Sequence, residues 1–305
     1  MSAPRFTVVI PAFNTEATIG AAIRSVLAQS VSDFELIIVD DGSTDATAER
    51  AAAHSDPRLR LLRQENAGPA VARNAAIEAG SAPLVSFLDS DDLWLPCYLE
   101  TMAAALERDP AAGLVYTDAW VLDEATRRIR RRTAMAPRGA EARAPRDPEA
   151  FLALLVRRNF ISSAATVRRT VLDEVGLFDP ATVPAEDYGL WLRIAAAGHV
   201  CVRVAGNLVV YRDRPGSISA DDLAVRTAAS RALGAIAENP AVHAPIRAQA
   251  AARIAAIEAS LAAEPPDSVA RRTRALLRRR LPWPLLWRIR PPELVARAFP
   301  DLDAL

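Results

Sequence analysis

Asp89-Ser90-Asp91-Asp92 places three carboxylates within four residues. Like charges at that spacing repel, and a turn does not need them. A hard divalent cation relieves the repulsion, because Mg2+ or Mn2+ takes one or two carboxylates together with phosphate oxygens. An exposed acidic turn that caps the following helix is the competing reading. A second acidic pair, Glu186-Asp187, opens an amphipathic segment that runs to Ala197. A carboxylate there can take a proton from a hydroxyl nucleophile, although acids also favour helix N-termini for dipole reasons alone. Three further clusters carry polar or turn-forming residues: Pro11–Asn14, Asp40–Ser43 and Asn66–Arg73.

Alternating strands and helices must position these groups. Phe6–Pro11, Phe34–Asp40, Leu59–Arg63 and Leu84–Leu88 read as strands. Between the first two, Ile19, Ile23, Val26 and Leu27 share one helical face, with Asn14 or Thr15 available as its cap. Continuous apolar strands separated by helices predict a parallel sheet covered on both faces. In such a sheet ligands bind outside the carboxyl ends of the strands. The four clusters nearest the N-terminus each follow a strand, so they are expected on one rim. Gly113–Val121 reads as a strand and Arg127–Arg146, with eight Arg and one Glu, as a mobile loop. Pro148–Arg158 and Glu186–Ala197 read as helices, Ser162–Val167 and Val200–Tyr211 as strands. Residues 221–263 are Ala-rich and helical, which puts a boundary near 220.

Composition removes several classes. The 305 residues are 51% hydrophobic and 24% charged, enough for a large core. The 37 cationic and 37 acidic side chains cancel, so no nucleic-acid partner drawn by bulk charge is expected. All the cations are Arg, which excludes lysine Schiff-base chemistry and a Walker A phosphate loop. Cys97 and Cys201 lie far apart and imply neither a disulfide framework nor a metal site. The N-terminus lacks a signal-peptide pattern, and no apolar run approaches the roughly 18–20 residues of a membrane span. A soluble or peripheral cytoplasmic protein is expected. Residues 271–290 combine eight Arg with Trp283, Leu285, Leu286 and Trp287. That mixture suits peripheral contact with an anionic membrane, and equally a solvated helix packed on the rest of the chain.

Read in order, VVIPAFN, ELIIVDDGSTD, NAGPAVARNAAIEAG, FLDSDDLWLP and EDYGLWLRIAAAG resemble the motif set of family 2 glycosyltransferases of the GT-A fold, over about residues 5–219. The resemblance implies an α/β fold with a mostly parallel, helix-flanked sheet. Residues 1–120 would form a Rossmann-like nucleotide-sugar-binding half, 121–220 an acceptor half, and 221–305 a helical C-terminal extension. It also implies a nucleotide-sugar donor, a UDP-sugar by preference. A divalent metal (Mn2+ or Mg2+), a glycan or lipid-linked acceptor and inversion at the anomeric carbon complete the expectation. By motif position, Pro11, Ala12, Phe13 and Asn14 form the first donor-binding turn, with Glu16 close behind. Phe13 would pack on the base or else in the core. Asp41 would accept the uracil N3–H, and Asp40 would serve the backbone. Gly68 and Arg73 belong to the next donor loop, with Arg73 reaching base or phosphate. Asp89 would face the ribose or the metal, Ser90 would belong to the donor site, and Asp91 would ligate the metal directly. Asp187 would be the general base, kept ionised by the helix N-terminus, with Glu186 beside it. Trp191 would shape the acceptor pocket or pack in the core.

One position departs from the family. Many relatives carry Tyr-Arg-x-His-x-x-Ser-x-Ser, and here Arg214 replaces the His between Tyr211-Arg212 and Ser217. A guanidinium cannot ligate a metal, but it can neutralise a diphosphate. Other classes fit less well. A haloacid-dehalogenase-like phosphatase would share the strand followed by Asp-x-Asp, but needs a lysine this chain lacks. A dinucleotide-binding dehydrogenase would need G-x-G-x-x-G after the first strand. A donor-binding scaffold without activity would not need the Glu186-Asp187 pair.

Overall fold

The computed structural model describes residues 3–124, 128–132, 144–214 and 217–263. The basic segment 271–290 lies outside them. In chain order the elements are β1 (Phe6–Ala12), α1 (Ile19–Leu27), β2 (Phe34–Asp40), α2 (Thr47–Ala52), β3 (Leu59–Arg63) and α3 (Pro69–Ala79). They continue through β4 (Leu84–Phe87), β5 (Leu93–Trp94), α4 (Tyr98–Arg108), β6 (Ala112–Asp123), β7 (Arg128–Arg132) and α5 (Pro148–Arg157). The last are β8 (Ala165–Arg168), α6 (Arg169–Val175), α7 (Glu186–Ala196), β9 (Val200–Asp213), α8 (Asp222–Ala237) and α9 (Ala244–Ala262).

Among the described residues the strands form one sheet in the order β3-β2-β1-β4-β8-β6-β9-β5, with β7 on β6. The first four in that order are parallel, as continuous apolar strands predict. The second half mixes directions: β8 runs antiparallel to both β4 and β6, and β9 runs parallel to β6. Both faces are covered. Val8, Ile10, Leu36 and Ile38 pack under α1 and α4, whereas Val9, Ile37, Val39 and Phe87 pack under α3, α5 and α7.

The helical residues after 220 share that second core. Ala228, Ala232 and Leu233 of α8 and Ile246 and Ala250 of α9 pack in the same cluster as α7. Gly189 of α7 faces α8, since a Cβ there would meet Ala232 Cβ at an ordinary contact distance of 3.6 Å. Trp191 settles between its two readings: it is fully buried against Phe87 and Phe178, with ring centroids 6.2 and 6.5 Å away, so it packs in the core.

Two local expectations need correction. Residues 128–132, placed in a mobile loop, form β7, paired in antiparallel register with Ala119–Asp123. Its dense charge suggested a loop, yet an edge strand tolerates charge and is protected by it. At α1, Thr18 rather than Asn14 or Thr15 takes the N-cap position, without a side-chain bond, and Thr15 serves through its carbonyl. The side chain of Asn14 is committed elsewhere, as described below.

Leu233 is buried in the shared core. Leu233→Ala is expected to cost about 2–5 kcal/mol in denaturant unfolding of the whole chain. A loss below about 0.5 kcal/mol would mean that α8 lies outside the cooperative core.

Candidate active site

The ends of β1 and β2 are locked together first. Asp41 N donates to Ala12 O at 2.8 Å, so Pro11 and Ala12, both buried, fix where the following turn begins. Asn14 sits at φ 50°, a left-handed conformation that Asn tolerates better than most residues. Its Oδ1 accepts from Thr44 N at 2.9 Å, while its own N–H donates to Ser43 Oγ at 3.0 Å. Glu16 and Asp45 exchange similar bonds: Ala46 N donates to Glu16 Oε2, and Glu16 N to Asp45 Oδ2. Phe13, left out of this lattice, is 44% exposed. Its ring is therefore not core, and its face is free to meet a planar base.

Asp40 and Asp41 are both buried and both spent on protein groups. Asp40 accepts from Ser43 N at 3.3 Å and Arg63 Nε at 3.1 Å. Asp41 accepts from Gln64 Nε2 (2.7 Å), Ala67 N (2.9 Å) and Gly68 N (2.8 Å). The carboxylate expected to read uracil thus holds the 64–68 loop in the first place. Gly42 permits the close approach, because a Cβ there would lie 2.8 Å from Asn66 N. Gly68, at φ 89°, lets the loop enter α3, where Pro69 occupies the first turn.

Arg73 lies one turn into α3 and is 5% exposed. It was expected to reach base or phosphate. Instead its Nη2 donates to Asp89 Oδ1 at 2.7 Å and its Nη1 to Glu186 Oε1 at 2.5 Å. Burial pulls its proton affinity down, yet Asp89 and Glu186 hold it above the ordinary guanidinium value. Asp89 accepts a second bond from Ser163 Oγ at 2.6 Å, a partner without a sequence signal. Ser90 is buried within the turn. Asp91 Oδ2 accepts from Arg214 Nε at 2.7 Å, and Asp92 Oδ1 accepts from Arg212 N at 2.9 Å. Burial pushes the Asp91 carboxyl up, and the Asp89 charge adds to this, against the pull of Arg214. Asp92 rises further, through burial and then the charges of Asp91 and Asp89.

Glu186 and Asp187 open α7 beside this group. The expectation that the helix N-terminus keeps Asp187 readily ionised is reversed. Burial first, then the neighbouring Glu186 charge, push Asp187 up to about 7 despite Arg73 and the Tyr188 N–H. Glu186 rather than Asp187 receives the arginine.

Among the described residues no group of three His, Cys, Asp or Glu side chains is disposed to hold a metal ion. The acidic turn nevertheless suits one. Asp89 and Asp91 keep 26% and 19% of their side-chain surface open, and two carboxylates are what Mg2+ or Mn2+ takes beside phosphate oxygens.

Residues 7–176 match the family described as Glycosyl transferase family 2, which is more than half of the 305-residue chain. The chain belongs to glycosyl transferase family 2. The matched domain is therefore of the glycosyltransferase class. Among curated relatives, "Succinoglycan biosynthesis protein ExoO" of Rhizobium meliloti is 36% identical over 222 residues, which is 71% of this chain and 63% of that protein. The UDP-Glc:alpha-D-GlcNAc-diphosphoundecaprenol beta-1,3-glucosyltransferase WfgD of Escherichia coli is 43% identical over 95 residues, 31% of this chain and 38% of its own length. The chain therefore spans less than two thirds of either relative. Among solved structures, S. aureus TarS 1–349 in complex with UDP-GlcNAc superimposes with a TM-score of 0.65 at 19% identity, covering 84% of this chain and 73% of that one. The mannosyltransferase PcManGT of Pyrobaculum calidifontis, in complex with GDP-Man and Mn2+, gives 0.60 at 22% identity, covering 91% and 81%. At these identities the two structures establish the GT-A fold alone.

Two stability effects follow from the site. Arg73→Leu leaves Asp89 and Glu186 without their cation and is expected to cost about 3–5 kcal/mol in chemical denaturation. Asp187 ionises near its ordinary value of 3.8 in the unfolded chain but only near 7 when folded. Its ionisation therefore opposes folding increasingly as pH rises from about 4 to 7, and fully above that. Asp187→Asn should stabilise the protein by about 1–3 kcal/mol at pH 8 and hardly at pH 4. Equal effects at both pH values would remove the assigned proton affinity.

Proposed function

We propose that the protein moves a sugar from a nucleotide-sugar donor, by preference a UDP-sugar, to a hydroxyl of a glycan or lipid-linked acceptor, with inversion. The observation that carries this reading is the convergence of Asp89, Arg73 and Glu186 at the carboxyl ends of the parallel strands, with Asp187 alongside. The name of the E. coli relative, with its UDP-Glc donor and diphosphoundecaprenol-linked acceptor, supports the choice of donor and acceptor class.

Phe13 would stack on the base, and Pro11–Asn14 with the 64–68 loop would form the wall around the nucleoside. Asp91 and Asp89 would hold Mn2+ or Mg2+, which supplies neutralisation of the leaving diphosphate. Asp187 takes the proton of the acceptor hydroxyl. The acceptor oxygen then forms its bond to the anomeric carbon as the bond from that carbon to the diphosphate oxygen breaks. The electron pair leaves with the nucleoside diphosphate, and one in-line displacement inverts the centre. A base whose proton affinity lies near neutral pH serves this step better than an ordinary carboxylate. Glu186, already paired with Arg73, orients the start of α7. No described helix is long and apolar enough to cross a membrane. Peripheral contact with an anionic bilayer on the cytoplasmic face is proposed for residues 271–290, outside the described residues.

Transfer from UDP-sugars should stop in EDTA and return with Mn2+ or Mg2+. Asp187→Asn should lower transfer about 10²–10⁴-fold while donor affinity stays near wild type. In the wild type kcat/KM should rise with pH up to about 7, because only the ionised base accepts the proton. Wild-type transfer by Asp187→Asn would place the base elsewhere.

A further inference from the structure

The Asp91–Arg214 pair couples the acidic turn to the end of β9. Arg214 follows directly after β9, and its Nε donates to Asp91 Oδ2 at 2.7 Å. Two bonds bring it there. Asp92 holds the Arg212 N–H at 2.9 Å, and Arg212 Nε reaches Asp91 O at 2.7 Å, so the chain leaving β9 is clamped against the turn. Arg212 is 2% exposed, whereas the Arg214 side chain keeps 29% of its surface and Asp91 19%. The clamp is thus buried and fixed, while the pair it delivers borders solvent. Asp89 already has Arg73 and Ser163 as partners.

We propose that Arg214 is an exchangeable counter-cation: it occupies Asp91 in the free enzyme and moves to the diphosphate of the nucleotide when donor and divalent ion bind. This inference rests on Asp91 being a metal ligand, as proposed above. A guanidinium and a divalent ion compete for the same carboxylate oxygens, so the bare enzyme binds metal weakly. An anionic diphosphate offers Arg214 a second place to form charge-assisted bonds. Its departure from Asp91 opens the carboxylate to the ion. Nucleotide and metal therefore bind with positive coupling, and the coupling is reciprocal. Arg214 acts here as a positioning residue. It forms no covalent bond and takes no proton.

The experiment is calorimetric titration of the full chain with Mn2+ alone, with UDP in EDTA, and with Mn2+ in saturating UDP. Wild type, Arg214→Gln, Arg214→Lys and Asp91→Asn are compared. The pair is a charge-assisted bond worth about 1.5–3 kcal/mol. Arg214→Gln should therefore bind Mn2+ about 10–100-fold tighter than wild type without nucleotide. It should bind UDP more weakly in EDTA, and its UDP–Mn2+ coupling should shrink. Arg214→Lys should restore most of the metal-free UDP affinity. A misfolded variant would lose metal affinity rather than gain it, so the sign separates the exchange from simple damage. Unchanged Mn2+ affinity in Arg214→Gln, with Asp91→Asn abolishing Mn2+ binding, overturns the exchange and leaves the metal site intact. Mn2+ binding that survives Asp91→Asn overturns both.

Discussion

A buried guanidinium shared by two carboxylates holds this site together. Arg73 Nη1 and Nη2 reach Glu186 and Asp89, residues 113 and 16 positions away along the chain. Taking one cation and two anions out of water is costly, and the arrangement survives only because the bonds close on one another. The pair therefore fixes distance as much as it stabilises. Helix α3 is tied to the acidic turn after β4 on one side and to the first turn of α7 on the other. Asn74, the next residue, repeats the tie with neutral groups: its amide exchanges bonds with both Phe178 N and Phe178 O. The Arg73 guanidinium also lies 5.3 Å from the Phe178 ring centroid. The spacing between the acidic turn and the start of α7 is set by this one helix.

The same interaction explains the chemistry of its neighbour. Arg73 spends both terminal nitrogens on Glu186 and Asp89, and its pull on Asp187 is outweighed. Burial and the Glu186 charge then govern, and its proton affinity rises. A carboxyl that titrates near neutral pH thus arises from where the arginine is spent. The back of α7 supports this. Trp191, Leu190 and Ile194 are buried, and α8 packs over the helix at Gly189 and Ala232. Helices α8 and α9 help to keep the acidic end of α7 in place.

The parallel half of the sheet was legible in the sequence because its strands are short, apolar and punctuated by Asp-Gly, Asn-Ala-Gly and Asp-Ser-Asp turns. Those turns also marked the rim at the carboxyl ends of the parallel strands. The Arg73 network was not legible, since nothing local in α3 announces a partner more than a hundred residues away. The reading given to it, an arginine reaching base or phosphate, follows from the motif position alone. The proton affinity of Asp187 was misjudged for a related reason. A helix N-terminus is visible in sequence, whereas burial and a competing carboxylate are tertiary facts. β7 was missed because five residues with four Arg look unfit for a sheet until an edge position on β6 is available.

The use of arginine throughout suits the geometry of these sites. Asp89, Asp91 and Asp92 meet Arg73, Arg214 and the backbone of Arg212, so the turn's charges are answered from α3 and from the end of β9. An ammonium is a point charge whose position along a flexible stem is loosely set. A guanidinium presents donors in a rigid plane, and one side chain can bridge two carboxylates at a fixed angle. At Arg73 that bridging is the function, so lysine there would keep the charge and lose the spacing. At Arg212 the side chain bonds the Asp91 carbonyl while its own backbone N–H bonds Asp92, joining two levels of the turn through one residue. Arg214 makes a single side-chain bond to the turn, at its more open edge. Arg73 and Arg212 are both enclosed, whereas the Arg214 side chain keeps 29% of its surface, so of the three it is the one with room to change partner.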